Sequence, residues 1–129
     1  MPDVYRGLNA KRNREGSTAF IVPVGPQAAF RAGPEGLKFP AAFADGTSNT
    51  VLAVTADDAH AVPWTKPEDL RFDPARPAAG LRRLPRGYLV GMADGSVRFL
   101  SGTIDPKALL PAFTPAGGEV LPGGTFSGD

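Results

Sequence analysis

Two short stretches, Ala44-Asp45-Gly46-Thr47 and Ala93-Asp94-Gly95-Ser96, each set a carboxylate two residues before a hydroxyl, around a glycine. Oxygen side chains of this kind on loops are the hard ligands that Ca2+ takes, so Asp45, Thr47, Asp94 and Ser96 form a candidate cation site. The D-x-D-x-D-G spacing of a dedicated calcium loop does not occur. Asp-Gly is also the pair that a tight turn needs, and a neighbouring Ser or Thr bonds to local backbone. On that second reading the repeat is turn chemistry used twice.

Other chemistry is sparse. His60, the only histidine, follows Asp57 and Asp58, but no G-x-S-x-G nucleophile elbow accompanies it. With no cysteine and one histidine the chain lacks the three or four N/S ligands of a zinc site. The glycine-rich stretches GPEG (33–36) and PGGTFSG (122–128) lack the lysine of a phosphate loop. Trp64, the only tryptophan, sits between Pro63 and Thr65, with Lys66, Glu68 and Asp69 close behind. These four form a candidate surface for a carbohydrate or peptide. The alternative is that Trp64 is a buried anchor for its loop. Adjacent Glu68 and Asp69 need not face each other, which leaves a solvated turn as their simpler reading. No catalytic constellation emerges, and the chain is expected not to be an enzyme.

The elements that must position these residues are short. A length of 129 residues fits one domain, and 16 Gly with 14 Pro favour turns and long ordered loops over long helices. Residues 17–25, STAFIVPVG, predict a strand that Pro23 confines to an edge or a bulge. Thr50–Thr55 predicts a central strand, with Val51, Ala53 and Thr55 on one face and Leu52 and Val54 on the other. Residues 57–80 form a proline-rich excursion, expected to be held down by Trp64, Leu70 and Phe72, with one helical turn at Lys66–Leu70. Tyr88–Ala93 and Ser96–Leu100 predict a hairpin about Asp94-Gly95, a pair suited to a two-residue type I′ turn. Gly91 marks a bulge or a close backbone approach. Asp105 and Pro106 open a short helix that Pro111 stops or kinks.

The expected fold is therefore mainly β: an antiparallel sheet of about 4–5 strands with long Pro/Gly-rich loops and one short C-terminal helix. It divides into a polar N-terminal arm over 1–16, one β-rich domain over 17–121 and a flexible glycine-rich tail over 122–129. Lys11, Arg12 and Arg14 read as a solvated arm, since aromatic residues do not interleave them. A formal net charge of +1 implies no nucleic-acid partner. No run approaches the ~18 apolar residues of a membrane span. The first sixteen residues show no signal peptide or anchor, so the compartment is unassigned.

AFADGTSNTVLAV, AVPWTKPEDL, GYLVGMADGSVRFLSGTIDPKALL and GGEV, in that order, resemble the C-terminal part of a large bacterial family. It is the prepilin-like "prepilin-type processing-associated" family, known for a His-x9-Asp-Gly motif. The resemblance runs from about Val22 to Val120. It implies a pseudopilin-head-like domain, exported or at the cell surface, without the N-terminal prepilin helix. Calcium-binding loops occur in some pseudopilin heads, which bears on the two Ala-Asp-Gly stretches. The motif histidine corresponds to Leu84, and a glutamate that often follows the apolar strand corresponds to Thr55. The expected function is a non-enzymatic assembly module that associates with itself or with a protein partner. The alternative is a carbohydrate- or peptide-binding module using the 57–80 loop and Trp64.

Overall fold

The computed structural model describes residues 1–5, 16–31, 36–66, 68–103, 105–116, 121 and 123–126. Its fold is mainly β, with one short helix near the C-terminus. Residues 17–24 break into three two-residue strands, β1 (Ser17–Thr18), β2 (Phe20–Ile21) and β3 (Pro23–Val24), each with its own partner. β2 lies at the edge of a four-stranded antiparallel sheet. Its neighbour is β4 (Val51–Thr55), followed by β7 (Tyr88–Met92) and β8 (Val97–Leu100). β1 pairs antiparallel with β5 (Val62–Pro63), and β3 pairs parallel with β6 (Leu70–Arg71). Pro23 is tolerated because β3 accepts here. Leu70 N–H donates to the Val22 carbonyl at 2.9 Å and Phe72 N–H to that of Val24 at 2.8 Å. The missing proline N–H is never called upon.

β4 is central, as its β-branched run predicts, but its faces are not those of simple alternation. Val51 pairs with Met92 and Ala53 with Gly91, so Leu52 is the extra residue of a β-bulge. The bulge turns both Val51 and Val54 into the main core, with Val90, Leu100, Leu109 and Phe113. Leu52 instead packs on the opposite face, against a smaller cluster of Ala29, Phe43 and Ala93.

The β7–β8 connection also differs from the expected two-residue turn. Met92 N–H donates to the Ser96 carbonyl at 2.8 Å, and Gly95 N–H to that of Met92 at 3.0 Å. The loop is thus three residues, Ala93-Asp94-Gly95, closed by Gly95 at φ 87°. A Cβ at Gly95 would meet open space, so Gly95→Val acts through backbone strain alone. We expect it to cost about 1–3 kcal/mol in urea unfolding, the range for a strained dihedral. An unchanged midpoint would contradict this turn.

Asp105 caps as expected, accepting from Lys107 N–H at 2.9 Å. The 3-10 turn Pro106–Leu109 then runs straight into α1 (Leu110–Phe113). Pro111 therefore starts the α-helical part instead of stopping it, because the first turn of a helix needs no N–H from it. In the excursion Leu70 and Phe72 are buried, and the Phe72 ring stacks on Phe113 at 5.1 Å. The expected helical turn at Lys66–Leu70 does not form: Leu70 is committed to β6, Glu68 and Asp69 are not helical, and Pro67 lies outside the described residues. A turn at Pro63–Lys66 precedes them, with Lys66 N–H on the Pro63 carbonyl at 3.0 Å.

Both ends of the chain touch the domain. Asp3–Tyr5 forms a 3-10 turn whose Tyr5 carbonyl accepts from Thr18 Oγ1 at 2.9 Å; Lys11, Arg12 and Arg14 lie outside the described residues. Near the C-terminus, Gly123 and Gly124 are exposed and the two residues after them reach the sheet. Thr125 is buried, its carbonyl accepts from Ser101 N–H at 2.6 Å, and Phe126 bridges Leu100.

Candidate functional site

The two Ala-Asp-Gly stretches meet. Gly46 N–H closes a turn on the Phe43 carbonyl at 2.9 Å, and the 3-10 turn Thr47–Asn49 follows. Asn49 Nδ2 donates to the Asp45 carbonyl at 2.9 Å and Thr50 Oγ1 to the Gly46 carbonyl at 3.1 Å. The hairpin turn then docks on this piece: Asp94 N–H donates to the Thr47 carbonyl at 3.0 Å, and Ala93 N–H to that of Thr50 at 2.8 Å. Backbone atoms make the join. The Asp94 carboxylate accepts from Ser96 Oγ at 2.6 Å and Ser96 N–H at 2.9 Å. The Ser96 hydroxyl first, and then its N–H, hold the Asp94 carboxyl below the ordinary aspartate value. Asp45 N–H donates to the Pro115 carbonyl at 3.0 Å. Among the described residues no group of three or more His, Cys, Asp or Glu side chains is placed to hold a metal ion. The repeat is a pair of interlocked turns linking β4 to the hairpin.

Trp64 is not a buried anchor. It is 41% exposed and stacks on Tyr5, with centroids 6.1 Å apart and planes 19° from parallel. Its turn lifts the ring away from the core, which Leu70 and Phe72 fill in its place. Thr18 Oγ1 ties this surface together: it donates to the Tyr5 carbonyl and accepts from Phe20 N–H at 3.2 Å. Tyr5 and Trp64 are both exposed there, and Phe20 is exposed on β2. Lys66, Glu68 and Asp69 are exposed on the same β5–β6 connection. A half-open ring loses far less on truncation than a buried one. We therefore expect Trp64→Ala to cost about 0.5–1.5 kcal/mol, the worth of an aromatic pair. A drop in thermal midpoint as large as that of a core variant would put the ring inside.

Near His60, the Asp57 carboxylate accepts from His60 N–H at 3.1 Å and lies 2.6 Å from Nδ1. It caps the 3-10 turn Asp58–His60, and no hydroxyl among the described residues bonds to the ring. Asp58 pairs with Arg82, whose Nε donates to the Ala56 carbonyl at 3.3 Å. Leu84 and Thr55 are both buried. A groove of about 550 Å3 between Gln27, Arg31, Leu37, Ala42 and Pro115 has mostly apolar walls, and the Thr114 hydroxyl beside it turns to the Pro111 carbonyl.

Sequence reasoning missed the opposite edge of the sheet. Around β8 three arginines cover three rings: Arg83 lies over Tyr88 at 5.7 Å, Arg86 over Phe99 at 4.7 Å and Arg98 over Phe126 at 3.6 Å. Arg83 Nη1 also donates to the Gly102 carbonyl. The signal was Arg82-Arg83 and Arg86 just ahead of a strand that Arg98 faces across the hairpin.

The chain matches no protein-family model, no curated protein and no solved structure. Among the described residues no helix is long and apolar enough to cross a membrane.

Proposed function

We propose that this chain is a non-enzymatic assembly module, a pseudopilin-head-like domain that associates with itself or with another protein. The observation that carries this is the exposed Tyr5–Trp64 stack, together with the exposed Phe20 on the edge strand β2. Clustered exposed apolar side chains mark interaction sites, and an exposed strand edge invites pairing. The sequence resemblance to prepilin-type heads and the lack of a nucleophile motif support the same reading. Because Trp64 is the only tryptophan, its fluorescence reports on this surface directly. Association predicts that emission shifts to the blue and resists acrylamide quenching as protein concentration rises. Emission that stays red and fully quenchable at every concentration contradicts self-association.

The parallel Tyr5–Trp64 stack favours a second reading, a flat platform for a sugar ring or a peptide side chain. Saturable quenching of dilute protein by a soluble oligosaccharide or short peptide would support it over assembly.

A further inference from the structure

We infer that the partner of this surface is a second copy of the chain, whose arginine-clad β8 edge receives the acidic 57–80 excursion of its neighbour. This rests on the assembly reading above. The charges are unevenly placed. Residues 57–80 hold five acidic side chains against three basic ones, whereas 81–107 hold five basic against two acidic. The two segments meet where Asp58 pairs with Arg82, but their strands β5 and β6 lie on one side of the sheet and β8 on the other. The excursion supplies β5 and β6, which pair with β1 and β3 on the β2 side, and 81–107 supply the β7–β8 side.

Within the excursion Asp57 faces His60, Asp58 pairs with Arg82, and Asp73 sits 3.4 Å from Arg76. Glu68 and Asp69 are exposed and form no ion pair among the described residues. They share the β5–β6 connection with Trp64, so this margin presents carboxylates beside an aromatic surface. The other margin presents the exposed Arg83 and Arg86, laid over Tyr88 and Phe99, with Arg83 also bonded to the Gly102 carbonyl. Stacking over a ring holds a guanidinium flat, and its N–H edge then suits a carboxylate. Val97, 69% exposed on β8, adds an apolar side chain to the same strand. Tyr, Trp and Arg are the residues that interfaces favour. Because the two surfaces differ, copies join head to tail and add in a row or a ring, unlike a twofold dimer.

Two neutralising variants test this by light scattering at low salt: Glu68→Gln/Asp69→Asn, which blunts the acidic margin, and Arg83→Gln/Arg86→Gln, which blunts the basic one. Circular dichroism melts check that both remain folded. Each alone should associate at least about tenfold more weakly than wild type, since charge pairs across an interface set register and strength. Mixed one to one, they should form a dimer that grows no further, because one intact margin of each kind remains. Loss of wild-type association as salt rises supports the same contact without any substitution. If wild type associates and the variants associate equally well, the charge docking is wrong and the assembly reading stands. If wild type stays monomeric at low salt and high concentration, self-docking fails outright.

Discussion

Gly87→Ala should destabilise the fold by about 3–5 kcal/mol, combining the usual costs of a strained dihedral and of overpacking. Gly87 is buried at φ 118°, a backbone conformation that side chains with a Cβ rarely adopt. A Cβ there would overlap the carbonyl oxygen of Leu100, with the Leu100 carbon and the Gly102 nitrogen both at 3.1 Å. Every one of those atoms belongs to the backbone, so no rotamer change relieves the clash. Leu100 is fully buried and ends β8, and Gly87 opens β7 by closing a turn with Leu84. The clash therefore pushes the hairpin strands apart where they enter the core. Chemical unfolding measures it, and a loss below about 1 kcal/mol would mean that the two strands do not approach as described.

Phe113→Ala should cost about 3–5 kcal/mol, the range for truncating a large buried aromatic. Phe113 is 1% exposed and packs with Val51, Val54 and Leu109 while stacking on Phe72. It joins three otherwise distant pieces: the C-terminal helix, the central strand and the excursion. Since domains of this size hold about 5–15 kcal/mol in all, the variant should lose much of its margin. Thermal denaturation would show this. If the midpoint moves no further than that of Trp64→Ala, the core is centred elsewhere.

The contrast between these two aromatics shows what the sequence made legible. The β-branched run at 51–55 and the Asp-Gly turn are local signals, and they placed β4, β7 and β8 correctly. The bulge at Leu52 escaped because alternation presumes a strict period of two, and only the pairing of Ala53 with Gly91 reveals the slip. Loop length escaped for a related reason. Asp-Gly serves two-residue and three-residue turns alike, and here Ala93 and Asp94 are also held from outside, by Thr50 and Thr47. Pro23 correctly pointed to irregular pairing, yet its parallel partner at Leu70 is 47 positions away and leaves no trace in a local pattern. Trp64 was placed inside because a lone tryptophan among prolines commonly anchors its loop, whereas Leu70 and Phe72 fill that role. The arginine–aromatic margin lay in plain view as residue types, but only the register of β7 on β8 brings rings and guanidinium groups together.

The central claim is that the open aromatic and charged margins of this small sheet bring copies of the chain together. Sedimentation equilibrium of the wild-type protein at low salt, from micromolar to near-millimolar concentration, tests it most directly. A weight-average mass that climbs past that of a dimer is the predicted result. A mass that stays at the single-chain 13.4 kDa throughout would contradict the claim.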